Sequence, residues 1–470
     1  MDPAADSKPD GAPHAPPRST AFAAFFSDDR WPEWVMATIL AGLLIKVIVF
    51  TAVNLYLPQP FFYEPSDTFA DWFNTAFWAR NAGTYDTWTT LYPPLTFVFL
   101  RIFGFDRCYP QTQSVDPSAG LAARDCDWLG ISTIFGLFLI DLVLIYLTLR
   151  KVDRRTALPR SLCVGLGWPM LDGLERGNLV LACFACFVLA VGPLLGSART
   201  KAVFAGLAIN FKVYLIASIL PLVIKRRWRW VEQAVIATVF VYLVSFAVMG
   251  RGTVTEIVRN IRDFSSNPTT QVLDLWPAAT YKPAISFLAS DSFPITLLLG
   301  SRMVETLERL LPLLVMTGQA AILIAAGLAA LRPDVITRTR LVTHGTMLAL
   351  ITSEAGGYTP VFFMVLVLME PWRGFGRKFA ISATYLLGMS LDVTLDKLPS
   401  IVRDSYIGNT QTIVEFGVTA APFVRPFVIL AIAFAMACVT IREVCAAMWP
   451  QRVAMPVRAL AGGERASSLA

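Results

Sequence analysis

An all-α polytopic membrane protein is the fold class this chain predicts, and three observations predict it. Of 470 residues, 55% are hydrophobic and only 16% charged, with 12 Trp and 32 Phe, too apolar for a soluble chain of this length. Apolar segments long enough to cross a hydrocarbon core of about 30 Å recur along the sequence. Lys and Arg gather in the short connections between them. The net charge of +6 therefore reports topology rather than affinity for nucleic acid, and no nucleic-acid partner is expected.

Residues 1–34 are rich in Pro, Ala, Asp and Ser and lack the charged start and early apolar run of a cleaved signal peptide, which predicts a disordered cytoplasmic tail. The membrane domain occupies 35–443, and 444–470 forms a second cytoplasmic tail. A first span covers 35–57. Residues 58–127, with scattered charge and several prolines, stay together as the first extracytoplasmic loop, and a second span follows over 128–149.

Orientation follows from the basic clusters, because short loops rich in Lys and Arg are retained in the cytoplasm. Arg150, Lys151, Arg154, Arg155 and Arg160 form the strongest; Arg199 with Lys201, then Lys225 to Arg229, then Arg332, Arg338 and Arg340, then Arg373, Arg377 and Lys378 continue the set. All lie on one side only if the chain turns back between them. Short hairpins are therefore expected over 161–197 around Glu175-Arg176-Gly177-Asn178, over 202–224 around Lys212, and over 341–371 around Glu354-Ala355-Gly356-Gly357-Tyr358. Single spans at 230–249, 308–331, 379–393 and 423–443 complete about 12 transmembrane helices, with both termini cytoplasmic. Residues 250–305 and 394–422 become the second and third extracytoplasmic loops.

The first loop carries the chemistry. In Ser66-Asp67-Thr68-Phe69-Ala70-Asp71-Trp72-Phe73-Asn74, Asp67 and Asp71 stand four apart and Asn74 three further on, one polar stripe if the segment is helical. Phe69, Phe73 and Phe77 would then form the opposite face and rest on the bilayer, making this an interfacial helix that holds carboxylates just above the hydrocarbon. Tyr92-Pro93-Pro94-Leu95 opens a second interfacial helix, ended by Gly104. A solvated loop face, or an N-cap at Ser66-Asp67, accounts equally for the two aspartates. Of seven cysteines only Cys108 and Cys126 fall in an extracytoplasmic loop, where an oxidising compartment would let them form a disulfide.

Taken in order, the acidic first loop, Gly83-Thr84-Tyr85, Tyr92-Pro93-Pro94-Leu95, Glu175-Arg176-Gly177-Asn178, and Ala205-Gly206-Leu207-Ala208-Ile209-Asn210-Phe211-Lys212-Val213-Tyr214 before a basic Arg-Trp-Arg resemble the GT-C membrane glycosyltransferases. More narrowly, the chain is similar to the polyprenol-phosphate-mannose-dependent mannosyltransferases of glycosyltransferase family 87, over roughly residues 35–230. The resemblance implies a GT-C fold in the cell inner membrane. It also implies sugar transfer, mannose by analogy, from a polyprenyl-phosphate donor to a lipid-linked or exported glycan on the periplasmic side. The family's first-loop base falls on Asp67 or Asp71, and the spacing to Gly83 suits either. At the apex near Glu354 the chain departs from its relatives, which commonly carry a histidine there; its only histidines are His14 and His344.

The residue types fit that chemistry on their own terms. An alcohol needs a carboxylate within hydrogen-bond reach to take its proton as it attacks, which Asp67 or Asp71 supplies. A departing lipid phosphate needs fixed cations in the outer half of the bilayer, and Lys212 and Arg176 are the candidates, Arg176 having Glu175 or Asp172 as an alternative local partner. Asn74, Tyr92, Asn178, Glu354, Tyr358 and Lys282 are secondary candidates for holding substrate. Arg259, Arg262, Asn267 and Tyr281, and farther on Arg403, Tyr406 and Arg425, read first as solvated or lipid-headgroup groups. Two histidines and no dense acidic cluster beyond Asp67 and Asp71 argue for inverting, metal-independent transfer without a cofactor. A lipid or polysaccharide transporter, or an inactive scaffold, is the competing reading. A transporter would be expected to show repeated halves, and none is visible.

Overall fold

The computed structural model describes residues 29–61, 64–110, 116, 118–266, 279–288, 295–352 and 356–449. Most of the two expected tails, together with Asn267 and Glu354, lies outside the described residues.

Five helices are long and apolar enough to cross a membrane: α1 (Trp31–Asn54), α4 (Trp128–Val152), α10 (Trp228–Met249), α14 (Ser301–Leu331) and α18 (Ala421–Met448). Their outward faces are greasy. Ile45, Val49 and Val53 of α1, Ile236, Phe240 and Val248 of α10, and Leu313, Met316 and Leu323 of α14 are all exposed, a continuous apolar surface that suits lipid and not water. The chain is thus membrane-embedded and mostly helical.

Shorter helices fill the space between. In the first loop, α2 (Ala70–Arg80) and α3 (Pro94–Ile102) precede α4. After it come α5 (Ala157–Gly165), α6 (Trp168–Glu175), α7 (Val180–Val191), α8 (Ala198–Phe211) and the one-turn α9 (Ile216–Ile219). Beyond α10 lie α11 (Val254–Ser266), α12 (Lys282–Leu288) and α13 (Ile295–Leu299), and α14 is followed by α15 (Arg338–Thr352), α16 (Val361–Val367) and α17 (Phe375–Gly388). Breaks between α6 and α7, at Lys212 and between α15 and α16 interrupt the apolar runs where hairpins are expected. The interior is dry: every residue of α16 is buried.

Three expectations are corrected. First, α1 begins at Trp31 and α18 continues to Met448, so both helices extend into the segments assigned to tails. Glu33 disguises the start of α1 as polar, but its carboxylate is fully buried and forks with Arg160 at 2.6 and 2.8 Å. Second, the third loop carries strands, where the helical reading assigns it no regular element. Strands β1 (Thr394–Lys397) and β4 (Gly417–Thr419) pair antiparallel, as do β2 (Ile401–Ser405) and β3 (Thr410–Val414), two nested ladders in an otherwise helical chain. Thr410-Gln411-Thr412-Ile413-Val414 is rich in the β-branched residues that favour a pleated surface. Third, α2 does not rest on the bilayer: Phe73 and Phe77 are wholly buried and Phe69 nearly so. Capped by the turn Ala119–Asp125 and by α3, the helix gains more by burying its aromatic face in protein than in lipid.

Contacts gather the connections into two ends. At one, Ser405 bonds to the Leu55 carbonyl, Thr412 to that of Asn54 at 2.8 Å, Gln59 to that of Gly417 at 2.9 Å, and Asn260 to those of Tyr85 and Thr90. At the other, Arg340 and Arg377 both bind Glu370 and Glu443, and Arg160 adds the Glu370 carbonyl at 2.9 Å to its pair with Glu33.

Candidate functional site

The site forms where the first loop meets the turn between α6 and α7. That turn is a C-terminal cap: the Asn178 N–H donates to the Gly173 carbonyl and the Gly177 N–H to that of Leu174, both at 2.9 Å, with Gly177 at φ +60°. Only glycine fits. A Cβ there would lie 3.1 Å from Ile134 and Trp72 and 3.2 Å from Phe69. The Asn178 side chain accepts from the Val180 N–H at 2.8 Å, which starts α7 and fixes the direction of its amide.

The loop docks onto this turn through backbone. Phe69, in a left-handed conformation, donates its N–H to the Glu175 carbonyl at 2.8 Å, and the Asp71 N–H reaches the Arg176 carbonyl at 3.0 Å. Asp67 ends a tight turn, Pro65–Asp67, rather than lying on α2, so Asp67, Asp71 and Asn74 are not one helical stripe. The left-handed kink at Phe69 separates them. Even so, the kink folds Asp67 toward the same arginine that Asp71 meets.

Asp71 lies in the first turn of α2, where the helix dipole favours a carboxylate. Its Oδ1 takes a hydrogen bond from Arg176 at 2.8 Å and its Oδ2 one from Asn178 at 2.6 Å. Arg176 also faces Asp67 at 3.7 Å, and the buried acids Asp172 and Glu175 lie within its electrostatic reach. Arg176 is therefore committed to carboxylates, and to the loop aspartates more closely than to the local partners the sequence offered. Asp67 is about 31% exposed at its side chain and held only by that long contact. Burial is the largest influence on it and raises its carboxyl above the usual carboxylate range; Arg176 opposes the shift, and Glu64 and Asp71 add to it.

A scaffold that the sequence did not single out fixes the Asp67 turn. Arg124 donates to the Ser66 and Thr68 carbonyls at 2.6 and 2.8 Å, the peptides flanking Asp67, and stacks 4.3 Å from the Tyr406 ring centroid. Tyr406 donates its N–H to the Pro65 carbonyl, and Arg403 pairs with Glu64 at 2.7 Å. The strand-bearing loop thus braces the acidic turn, a role for Arg403 and Tyr406 beyond solvation. Arg124 has no local sequence pattern that marks it, since all its hydrogen-bond acceptors are backbone carbonyls: those of Ser66 and Thr68 nearly sixty residues away, and that of Leu121 three residues before it.

Lys212 occupies the break after α8. Its ammonium lies 4.7 Å from the Tyr92 ring centroid and 5.3 Å from that of Tyr358, the residue is only 8% exposed, and no carboxylate among the described residues lies within ion-pair distance. Aromatic faces partly compensate such a cation, but a full counter-charge is missing. Tyr358 links the two halves. It lies over α6, close to Gly173, and within electrostatic reach of Asp71, Asp172, Tyr92 and Tyr214.

Of the remaining candidates, Asn74 sits one turn beyond Asp71 under the Ala119–Asp125 turn, its buried Oδ1 without a partner. Lys282 opens α12, which packs against α14 and α18, and its N–H donates to the Thr280 hydroxyl at 3.2 Å. None of its described contacts is to the Asp71 cluster. Cys108 and Cys126 are joined as a disulfide with Cα atoms 5.6 Å apart, tying the loop before α4. His344 is buried and bonds Thr440 at 2.8 Å. Arg425, expected at the surface, is buried because it stacks 3.9 Å from the Trp168 ring centroid and donates to the Leu387 and Met389 carbonyls. An apolar groove of about 430 Å³ between α14, α17 and α18 touches none of the candidate site residues.

Compared with known proteins, the chain matches no family model, no curated protein and no solved structure.

Proposed function

We propose that this chain is a membrane glycosyltransferase of the GT-C type, similar to family 87, which moves a sugar, mannose by analogy, from a polyprenyl phosphate to the hydroxyl of a lipid-linked or exported glycan. The observation that carries the reading is the convergence of Asp67 and Asp71 on Arg176 at a hairpin turn, with Tyr358 leading from it to the buried Lys212, which pairs with no carboxylate among the described residues. In this reading, short helices paired about polar turns add to the five long ones to make about 12. The basic connections at the far end support a reading with the termini in the cytoplasm and this site on the periplasmic face of the inner membrane.

The two aspartates take different roles. Both oxygens of Asp71 already hold donors, so it anchors Arg176 and Asn178. Asp67, loosely held and raised in basicity by burial, is the base. It takes the acceptor's hydroxyl proton as the new oxygen–carbon bond forms at the anomeric centre. The bond from that carbon to the phosphate oxygen breaks, and its electron pair leaves with the phosphate. Lys212 meets the phosphate charge, and Tyr92 and Tyr358 offer faces for the sugar. One displacement inverts the anomeric carbon, and no step calls on a cofactor or metal.

Proteoliposomes given polyprenyl-phosphate-linked mannose and a glycolipid acceptor test this. Transfer is expected, falling about 10² to 10⁴-fold in kcat for Asp67→Asn. Unchanged turnover would remove Asp67 from the chemistry. The broken helix at Lys212 also suits a lipid transporter. In sealed vesicles that reading requires the donor to change leaflets with no new glycosidic bond.

A further inference from the structure

At the end of the molecule away from Asp67, only some of the cations have acids. Arg30 pairs with Asp153, Lys378 with Asp29, Arg332 with Asp334, Arg160 with Glu33, and Arg340 and Arg377 with Glu370 and Glu443. A separate set does not. Lys151 at the end of α4, Lys201 in α8, Arg227 before α10 and Arg338 at the start of α15 form no ion pair with any carboxylate among the described residues.

Three of them converge on the carbonyls that end α7. Arg338 donates to the Val191 carbonyl at 3.0 Å, Lys201 to that of Gly192 at 2.7 Å, and Lys151 to those of Pro193 and Leu194 at 3.4 and 3.3 Å. Arg227 lies within electrostatic reach of both Lys201 and Arg338. A helix C-terminus offers about half a negative charge, which offsets only a small part of the three cations that bond it and of Arg227 beside them, and no carboxylate among the described residues pairs with any of the four. Asp334, which faces Lys225, is already forked by Arg332, and Asp153, two residues from Lys151, pairs with Arg30. A general bias of basic residues toward one membrane face explains their presence. It does not explain four elements bringing unpaired like charges to one point, which repel unless an anion sits among them.

We infer that Lys151, Lys201, Arg227 and Arg338 form a binding site for a phosphate-bearing anion, and that the occupant is the headgroup of an anionic phospholipid. The cluster lies where the apolar surfaces of α4 and α10 end, at headgroup depth, where about a factor of five in affinity is expected from each cation. The ammonium and guanidinium groups keep spare donors after serving the carbonyls, and these would bond the phosphate oxygens.

The test uses the full chain in a neutral detergent, titrated with phosphatidylglycerol or phosphatidylcholine, or with inorganic phosphate. Occupancy is read by native mass spectrometry and stability by the thermal midpoint. Phosphatidylglycerol is expected to bind and raise the midpoint, while phosphatidylcholine does neither. Replacing Lys201→Gln and Arg338→Gln together should weaken phosphatidylglycerol binding about 30-fold, and the charge-keeping pair Lys201→Arg and Arg338→Lys should retain most of it. In lipid-free detergent the neutral pair should be no less stable than the parent, because repulsion is relieved; a purely structural cap would lose stability instead. Lys151→Gln, at an exposed position, gives the same readout should the pair fail to fold. Equal binding by the parent and neutral variants, or equal binding of both lipids, overturns the site. A midpoint raised fully by inorganic phosphate overturns the lipid as its occupant.

Discussion

At the scale of single residues, the pairing of Asp67 with Arg176 makes opposite demands on activity and stability. The carboxyl of Asp67 is raised above its ordinary 3.8, so its protonated form is favoured by folding. That contribution is fully present below the unfolded value and is lost as pH rises through the folded one. Asp67→Asn, which never ionises, should therefore be at least as stable as the parent at neutral pH while losing transfer, a combination that a thermal midpoint and a turnover assay read together. The acid limb of kcat/KM against pH should lie above the range of a free aspartate. Because Arg176 holds the Asp67 carboxyl down, Arg176→Gln should move that limb to higher pH in whatever activity survives. A limb that stays in place would separate the arginine from the base. The sequence made these residues candidates but left the choice between Asp67 and Asp71 open, since spacing carries no information about which oxygens already hold donors. Arg124 was invisible for a similar reason: its acceptors are main-chain atoms, which any sequence supplies.

At the scale of elements, the α6–α7 turn is the part on which the site depends most closely. Gly177→Ala would need both a left-handed φ and room for a methyl 3.1 Å from Trp72 and Ile134, so a loss of about 1 to 3 kcal/mol is expected, with transfer falling further as Arg176 and Asn178 shift. A lowered melting temperature with unchanged kcat would show the turn to be only structural. The disulfide between Cys108 and Cys126, 18 residues apart, closes the loop that carries Arg124, so Cys108→Ser should cost about 3 kcal/mol and make the 118–125 segment more sensitive to protease. Helix positions were readable because apolar runs between basic clusters have few alternative meanings. One error and one omission share a cause. Phe69, Phe73 and Phe77 announce an apolar face but not whether lipid or protein covers it, and the strands of the third loop depend on partners that the local pattern does not identify.

At the scale of the whole molecule, the ion pairs buried on both sides lie, among the described residues, at the end away from Asp67. Arg160 forks Glu33 and adds the Leu368 and Glu370 carbonyls, linking α1, α5 and the turn after α16. Arg160→Met would strand Glu33 in a site with no exposure, and a loss of about 3 to 5 kcal/mol is expected, recovered in large part by adding Glu33→Leu. Failure of the second change to rescue expression would assign the pair a role other than mutual neutralisation. With Glu370 also bound by Arg340 and Arg377, and Glu443 by both arginines, five helices are riveted together at that end. A bundle fastened this way resists the rocking that opens a molecule to alternate sides. A long-tailed ligand bound for Lys212 would accordingly slide in sideways between helices from the surrounding lipid, its hydrocarbon never leaving the bilayer.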